Sequence, residues 1–126
     1  MHAALWYVLA NPALSIRAKS FIDEAGRAGA AIAVSTISLA EIISLIEKQR
    51  LPVSAYHDLK AVLEDTSSVL KEISVHAGVV DAMHQVPRDQ VPDMPDRIIA
   101  ATGISLGVPV ISRDGRVRAS TIETIW

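Results

Sequence analysis

The chain has 126 residues, half of them apolar and 21% charged, with no cysteine. A chain of that length buries roughly two thirds of its unfolded surface, so global disorder, disulfide frameworks and thiolate metal sites are excluded. No apolar run approaches the ~20 residues of a membrane span, and twelve Lys/Arg against fourteen Asp/Glu leave a net charge of −2, which announces no polyanion partner. The expectation is one cytoplasmic domain over residues 1–126, without a membrane partner.

Helical and short apolar segments alternate along the chain, the pattern of an α/β layer fold. Ala3 to Ala10 reads as a helix stopped by Asn11-Pro12, because the residue before proline is pushed out of the helical region. Ser15 caps a second helix to about Arg27, ended by Gly29. Ala31 to Ser35, short and continuously apolar, suits a strand buried on both faces of a parallel sheet. A helix then runs from Leu39 to Arg50, with Leu39, Ile42, Ile43 and Ile46 on one face, and Pro52 opens another that reaches Thr66. Val69 to Val75 predicts a strand, and His76 to Gln85 a helix with Val79, Val80 and Met83 inward. Pro95 sits in the first turn of a helix from Met94 to Leu106, and Gly107 terminates it. Val108 to Ser112 is the next strand, Asp114-Gly115 a turn, and Thr121 to Trp126 a final edge strand.

Open parallel sheets bind ligands beyond the carboxyl ends of their strands. Three acids fall there: Glu41, Asp96 and Asp114. Each has a structural explanation as well. Ser38 to Glu41 fits a capping box, Asp93 to Asp96 has the same spacing, and Asp114-Gly115 is an ordinary turn pair. Three acids at one sheet edge repel one another unless a cation lies between them, and oxygen donors suit a hard divalent ion such as Mg²⁺ or Mn²⁺. The histidines are scattered; His76 and His84 stand eight apart, unlike a helical zinc pair. No glycine-rich phosphate loop and no G-x-S-x-G elbow occurs.

Asp96-Arg97-Ile98-Ile99-Ala100-Ala101-Thr102, followed by Leu106-Gly107-Val108-Pro109-Val110-Ile111-Ser112-Arg113-Asp114, closely resembles the C-terminal motif of PIN-domain proteins, especially VapC-type toxins of bacterial toxin–antitoxin pairs. Ser35 to Ile42 resembles their second acidic motif, and Trp6 to Leu9 with Asn11-Pro12 and Leu14-Ser15 their first helix and loop. The resemblance implies a three-layer α/β/α fold around a mainly parallel sheet. It also implies a Mg²⁺- or Mn²⁺-dependent endoribonuclease, homodimeric and neutralised by a cognate antitoxin. Carried over by position, Glu41, Asp96 and Asp114 are the metal-holding catalytic acids. Asp93 matches an acid often found just before the third one, and Ser112 a hydroxyl beside the site. Arg97 and Arg113 match neighbours of the substrate phosphate or salt-bridge partners.

The family opens with a buried central strand ending in Asp-Thr-His or Asp-Thr-Asn, whose aspartate is a metal ligand. Here His2 matches the third letter and Met1 the middle one, so the aspartate falls immediately before the sequence begins and the first strand is missing or truncated. Two accounts follow: a start placed too late, which the three intact acids favour, or a truncated relative with impaired catalysis; the alternative function is a degenerate module that binds antitoxin or RNA without cleaving. Loss of that strand removes backbone partners for two neighbouring strands. Trp6, Tyr7 and Leu9 are expected to line an antitoxin groove, with core packing as the alternative. Lys48, Arg50, Arg116 and Arg118 are candidate phosphate contacts or simply solvated surface.

Overall fold

The computed structural model describes residues 2–126; Met1, matched above to the middle letter of the first motif, lies outside them. The chain opens with α1 (His2–Val8), broken before Asn11-Pro12 as expected, and continues into α2 (Ile16–Arg27). The Ser15 hydroxyl caps α2 by accepting from the Ala18 amide at 3.1 Å, and Gly29 turns the chain at φ +72°, where a side chain is strained. Strand β1 (Ile32–Ser35) leads without a loop into α3 (Thr36–Glu47), followed by α4 (Ser54–Glu64) and β2 (Leu70–Ile73). Strands β1 and β2 pair in parallel, Ile32 opposite Leu70 and Ser35 opposite Ile73. Leu5, Ile22, Val34, Ile42, Leu59 and Leu70 bring these elements together in one buried cluster.

The second half is α5 (Ala77–Ala82), a 3-10 turn at Met83–Gln85, α6 (Met94–Leu106), β3 (Val110–Ile111), α7 (Gly115–Ala119) and β4 (Thr124–Ile125). Helix α6 has the expected bounds, with Asp93 accepting from the Asp96 amide at its start and Gly107 at φ +68° ending it. A second core of Val79, Val86, Val91, Ile98, Ala101 and Val117 joins α5, α6 and α7. Strands β3 and β4 pair in parallel, Val110 opposite Thr124.

Among the described residues the sheet is therefore two separate parallel pairs, β1 with β2 and β3 with β4. Between them runs a mostly apolar cleft of about 300 Å³, lined by β1, β3 and the α6 residues Ile99, Thr102 and Gly103. The chain nevertheless has the expected mixed α/β content, with helices packed on short parallel strands. Ile32 donates to the Val69 carbonyl, while Val110 and Ser112 donate to the Glu123 and Ile125 carbonyls. Residues along a parallel strand alternate in the edge to which they bond, so the backbone groups of Ala33 and Ile111 face the cleft.

The cleft corrects the expectation that β1 is buried on both faces: Ala31 and Ala33 are exposed, and only Val34 and Ser35 are buried. Val80 also points outward, 51% exposed, because the helix expected over His76 to Gln85 tightens to 3-10 geometry at Met83 and does not complete a long inward face. No described helix is long and apolar enough to cross a membrane.

Candidate active site

Glu41 reaches the site differently from the capping-box expectation. Helix α3 begins at Thr36, directly off β1, with Ser35 as its cap accepting from the Ile37 amide at 3.3 Å. Ser38 is buried inside the helix and Glu41 lies in its second turn, so the pair caps nothing. Thr36 anchors that junction by donating to the Ile73 carbonyl at 3.1 Å and to Glu72 Oε2 at 2.9 Å. The outcome is a half-buried carboxylate whose Oε1 is shut off from solvent and accepts no hydrogen bond among the described residues. An orphaned carboxylate oxygen of this kind costs free energy unless something positive meets it. Burial raises the Glu41 carboxyl above its usual pKa, and the charges of Asp96 and Asp93 add to the shift.

Asp96 stands in the first turn of α6, held there by Asp93 as the cap. Its pKa is pushed up to about 6, first by burial and then by the neighbouring Asp93 and Asp114 charges. Asp114 follows β3. It is no simple turn residue: its Oδ1 accepts from the Arg116 and Val117 amides, both at 3.0 Å, and so starts α7. The Ser112 hydroxyl accepts from the Asp114 amide at 3.0 Å and fixes the approach to that cap. The three expected acids, with Asp93, therefore share one electrostatic neighbourhood although they come from α3, α6 and the β3–α7 junction. Among the described residues, however, no three Asp, Glu or His side chains come close enough to form a ready-made cage for one ion.

The basic residues divide. Arg97 makes no ion pair among the described residues. Its guanidinium donates to the Met83 and Val86 carbonyls at 3.1 and 3.3 Å, tying α6 to the end of the 3-10 turn, while its Nε is buried without a partner among the described residues. Arg113, which has no ion pair among the described residues, lies over the Trp6 ring at 4.6 Å. His2 stacks on Trp6 with centroids 5.3 Å apart, and Trp126 meets the same indole at 6.0 Å. Sequence reasoning used His2 only as a motif letter and Trp126 only as a strand end. Their meeting rests on the i,i+4 step from His2 to Trp6, visible in sequence, and on the β3–β4 pairing, which is not.

Of the expected groove residues, Tyr7 turns to α2, where its hydroxyl donates to Asp23 Oδ1 at 2.6 Å, and Lys19 bonds the other oxygen at 2.8 Å. Leu9 lies beyond the end of α1 and is 42% exposed.

The acids offer oxygen donors only, one of them orphaned and two with raised pKa values, a set that suits a hard divalent cation bound partly through water. No curated protein and no solved structure matches the chain. One family model does, that of the PIN domain, over residues 2–120. With that match spanning almost the whole chain, and acids from three elements sharing one neighbourhood, the protein belongs to the PIN domain family, a superfamily of nucleases that typically use divalent metals.

Proposed function

We propose that this protein is a Mg²⁺- or Mn²⁺-dependent endoribonuclease of the VapC toxin type, neutralised by a cognate antitoxin and working as a homodimer. The observation that carries the reading is the buried Glu41 oxygen with no hydrogen-bond partner among the described residues, on a carboxyl that feels the charge of Asp96, which in turn feels Asp114. When bound, a divalent cation supplies activation of water and neutralisation of the charge that develops on the phosphate.

The chain's own residues divide the remaining work. Glu41 offers its carboxylate, whose Oε1 has no hydrogen-bond partner among the described residues. Asp96, at about 6, is mostly ionised at neutral pH and supplies negative charge in a partly desolvated place. Asp114 commits Oδ1 to the α7 cap, leaving Oδ2 for the site, and Ser112 holds the backbone there. Arg113 directly precedes Asp114, makes no ion pair among the described residues, and is the candidate to meet phosphate.

Incubation of the protein with RNA and Mg²⁺ tests the reading: endonucleolytic fragments should appear, and Asp96→Asn should lower the rate at least 100-fold, in the general range for loss of a catalytic group. Equal cleavage by Asp96→Asn would discard it. A second reading, a module that binds antitoxin or RNA without cutting, is favoured by the lack of a three-residue metal cage among the described residues. Wild-type protein that binds RNA but leaves it intact over a range of Mg²⁺ and Mn²⁺ concentrations selects the second reading.

A further inference from the structure

The chain holds two tryptophans, Trp6 and Trp126, and both sit in one cluster. Three separate segments converge on it: α1 brings His2 and Trp6, the end of β3 brings Arg113, and the end of β4 brings Trp126. The ladder that aligns them continues past β3, since the Ser112 amide donates to the Ile125 carbonyl at 3.2 Å. The next two residues along that strand are Arg113 and the site acid Asp114.

This cluster is not core. Trp6 and Trp126 are only partly buried, His2 and Arg113 are exposed, and none of the four belongs to either buried cluster. A His–Trp stack at 30° with a guanidinium over the indole presents flat π surface and positive charge side by side. An unpaired base has a flat face and a phosphate on each side, and single-strand binders meet it with that combination. A duplex, whose bases are already stacked, has no free face to offer.

We propose that His2, Trp6, Trp126 and Arg113 form a stacking platform that takes one unpaired base of a single-stranded nucleic acid and leads its adjoining phosphate toward Glu41, Asp96 and Asp114. The inference rests on the ribonuclease reading above and assigns the residues that hold the base beside the scissile linkage. Trp6 and Arg113 are binding residues, and the choice of strand over duplex lies with them.

Because both tryptophans lie in the platform, intrinsic fluorescence reports on it directly. A short oligoadenylate and a phosphodiester strand of equal length without bases are titrated in EDTA, following tryptophan emission and, separately, the anisotropy of an end label. The base-bearing strand should quench emission and bind about tenfold more tightly than the abasic one. Trp6→Ala should remove that tenfold advantage and leave abasic binding unchanged, while Trp6→Phe, which keeps a ring, should retain most of it. Circular dichroism checks that both variants are folded.

Equal binding of the two strands by wild-type protein, or wild-type affinity for oligoadenylate in folded Trp6→Ala, overturns the platform. Cleavage of RNA in Mg²⁺ separates that failure from a failure of the underlying reading. An active enzyme whose kcat/KM on single-stranded RNA is unmoved by Trp6→Ala loses the platform alone, whereas a protein that neither binds nor cuts RNA loses both.

Discussion

At the scale of single residues, the candidate site acids carry a cost in stability. A carboxyl whose folded pKa lies above its unfolded value binds protons more tightly in the native state, so stability falls as pH rises between the two. For Asp96 that window runs from 3.8 to about 6. The gap of about 2 units corresponds to at most about 3 kcal/mol, and solvent screening at this partly exposed group reduces it to about 1 kcal/mol. Asp96→Asn should therefore raise the metal-free melting temperature at pH 7 by a few degrees, about 2–6 °C, with the gain vanishing below pH 4. Thermal melts of both proteins across that range check it, and a variant less stable than wild type at pH 7 contradicts the repulsion described here.

Tyr7 shows the opposite use of a polar pair. Its hydroxyl is pushed up to about 12, chiefly by donation to Asp23. The neutral phenol is the form that the fold prefers, so this contribution is present below pH 10 and lost as pH rises toward 12. Tyr7→Phe should cost about 1 kcal/mol in chemical denaturation near neutral pH, with the difference from wild type disappearing at strongly alkaline pH.

At the scale of elements, α6 and the strand beside it are tightly matched. A Cβ at Gly103 would stand 2.7 Å from Val110 Cγ2 and 3.1 Å from the Val108 carbonyl, so glycine is required by close approach, not by its φ. Gly103→Ala should destabilise the protein by about 1–3 kcal/mol through overpacking, measured by urea unfolding, and should loosen β3 and the Asp114 cap beyond it. The cap itself separates structure from chemistry. Asp114→Asn keeps the Oδ1 acceptor for Arg116 and Val117 and removes the charge, whereas Asp114→Ala removes both. The alanine variant should lose about 0.5–2 kcal/mol, and the asparagine variant should stay near wild-type stability while losing nuclease activity. If both variants kept full activity, Asp114 would be a cap and nothing more.

Elements with strong local punctuation were legible in advance. Helix α6 carries Asp93, Pro95 and Gly107, and α2 carries Ser15 and Gly29; each set fixes helix ends through the backbone of a few adjacent residues. Helix α3 was misplaced by three residues at its start because Ser35 and Ser38 are equally good caps locally. The burial of Ser38 against the sheet decides between them. Helix α7 was missed altogether: five residues, Gly115 to Ala119, make too few turns for a hydrophobic period, and only the two Asp114 cap bonds with Val117 buried beneath make them helical.

At the scale of the whole molecule, the feature to explain is the cleft between the two strand pairs. Its edges are the inner sides of β1 and β3, where the amides of Ala33 and Ile111 have no cross-strand partner among the described residues. Hydrogen exchange should therefore distinguish neighbours on one strand. The amides of Ile32 and Val110, bonded to the Val69 and Glu123 carbonyls, should exchange at least tenfold more slowly than those of Ala33 and Ile111. Uniform protection along β1 would mean that the cleft is closed in solution.

The sequence by itself determined the α/β class and most helix ends, and it marked the three candidate acids, because these follow from short-range periodicity, capping chemistry and motif spacing. Only the tertiary structure decided what those residues do to one another. Glu41 is left with an orphaned oxygen, Arg97 serves the 3-10 turn and not the site, and His2, Trp6, Arg113 and Trp126 become one surface. Such relations join residues up to 124 positions apart, His2 to Trp126. They depend on strand register and helix packing, which no local pattern encodes.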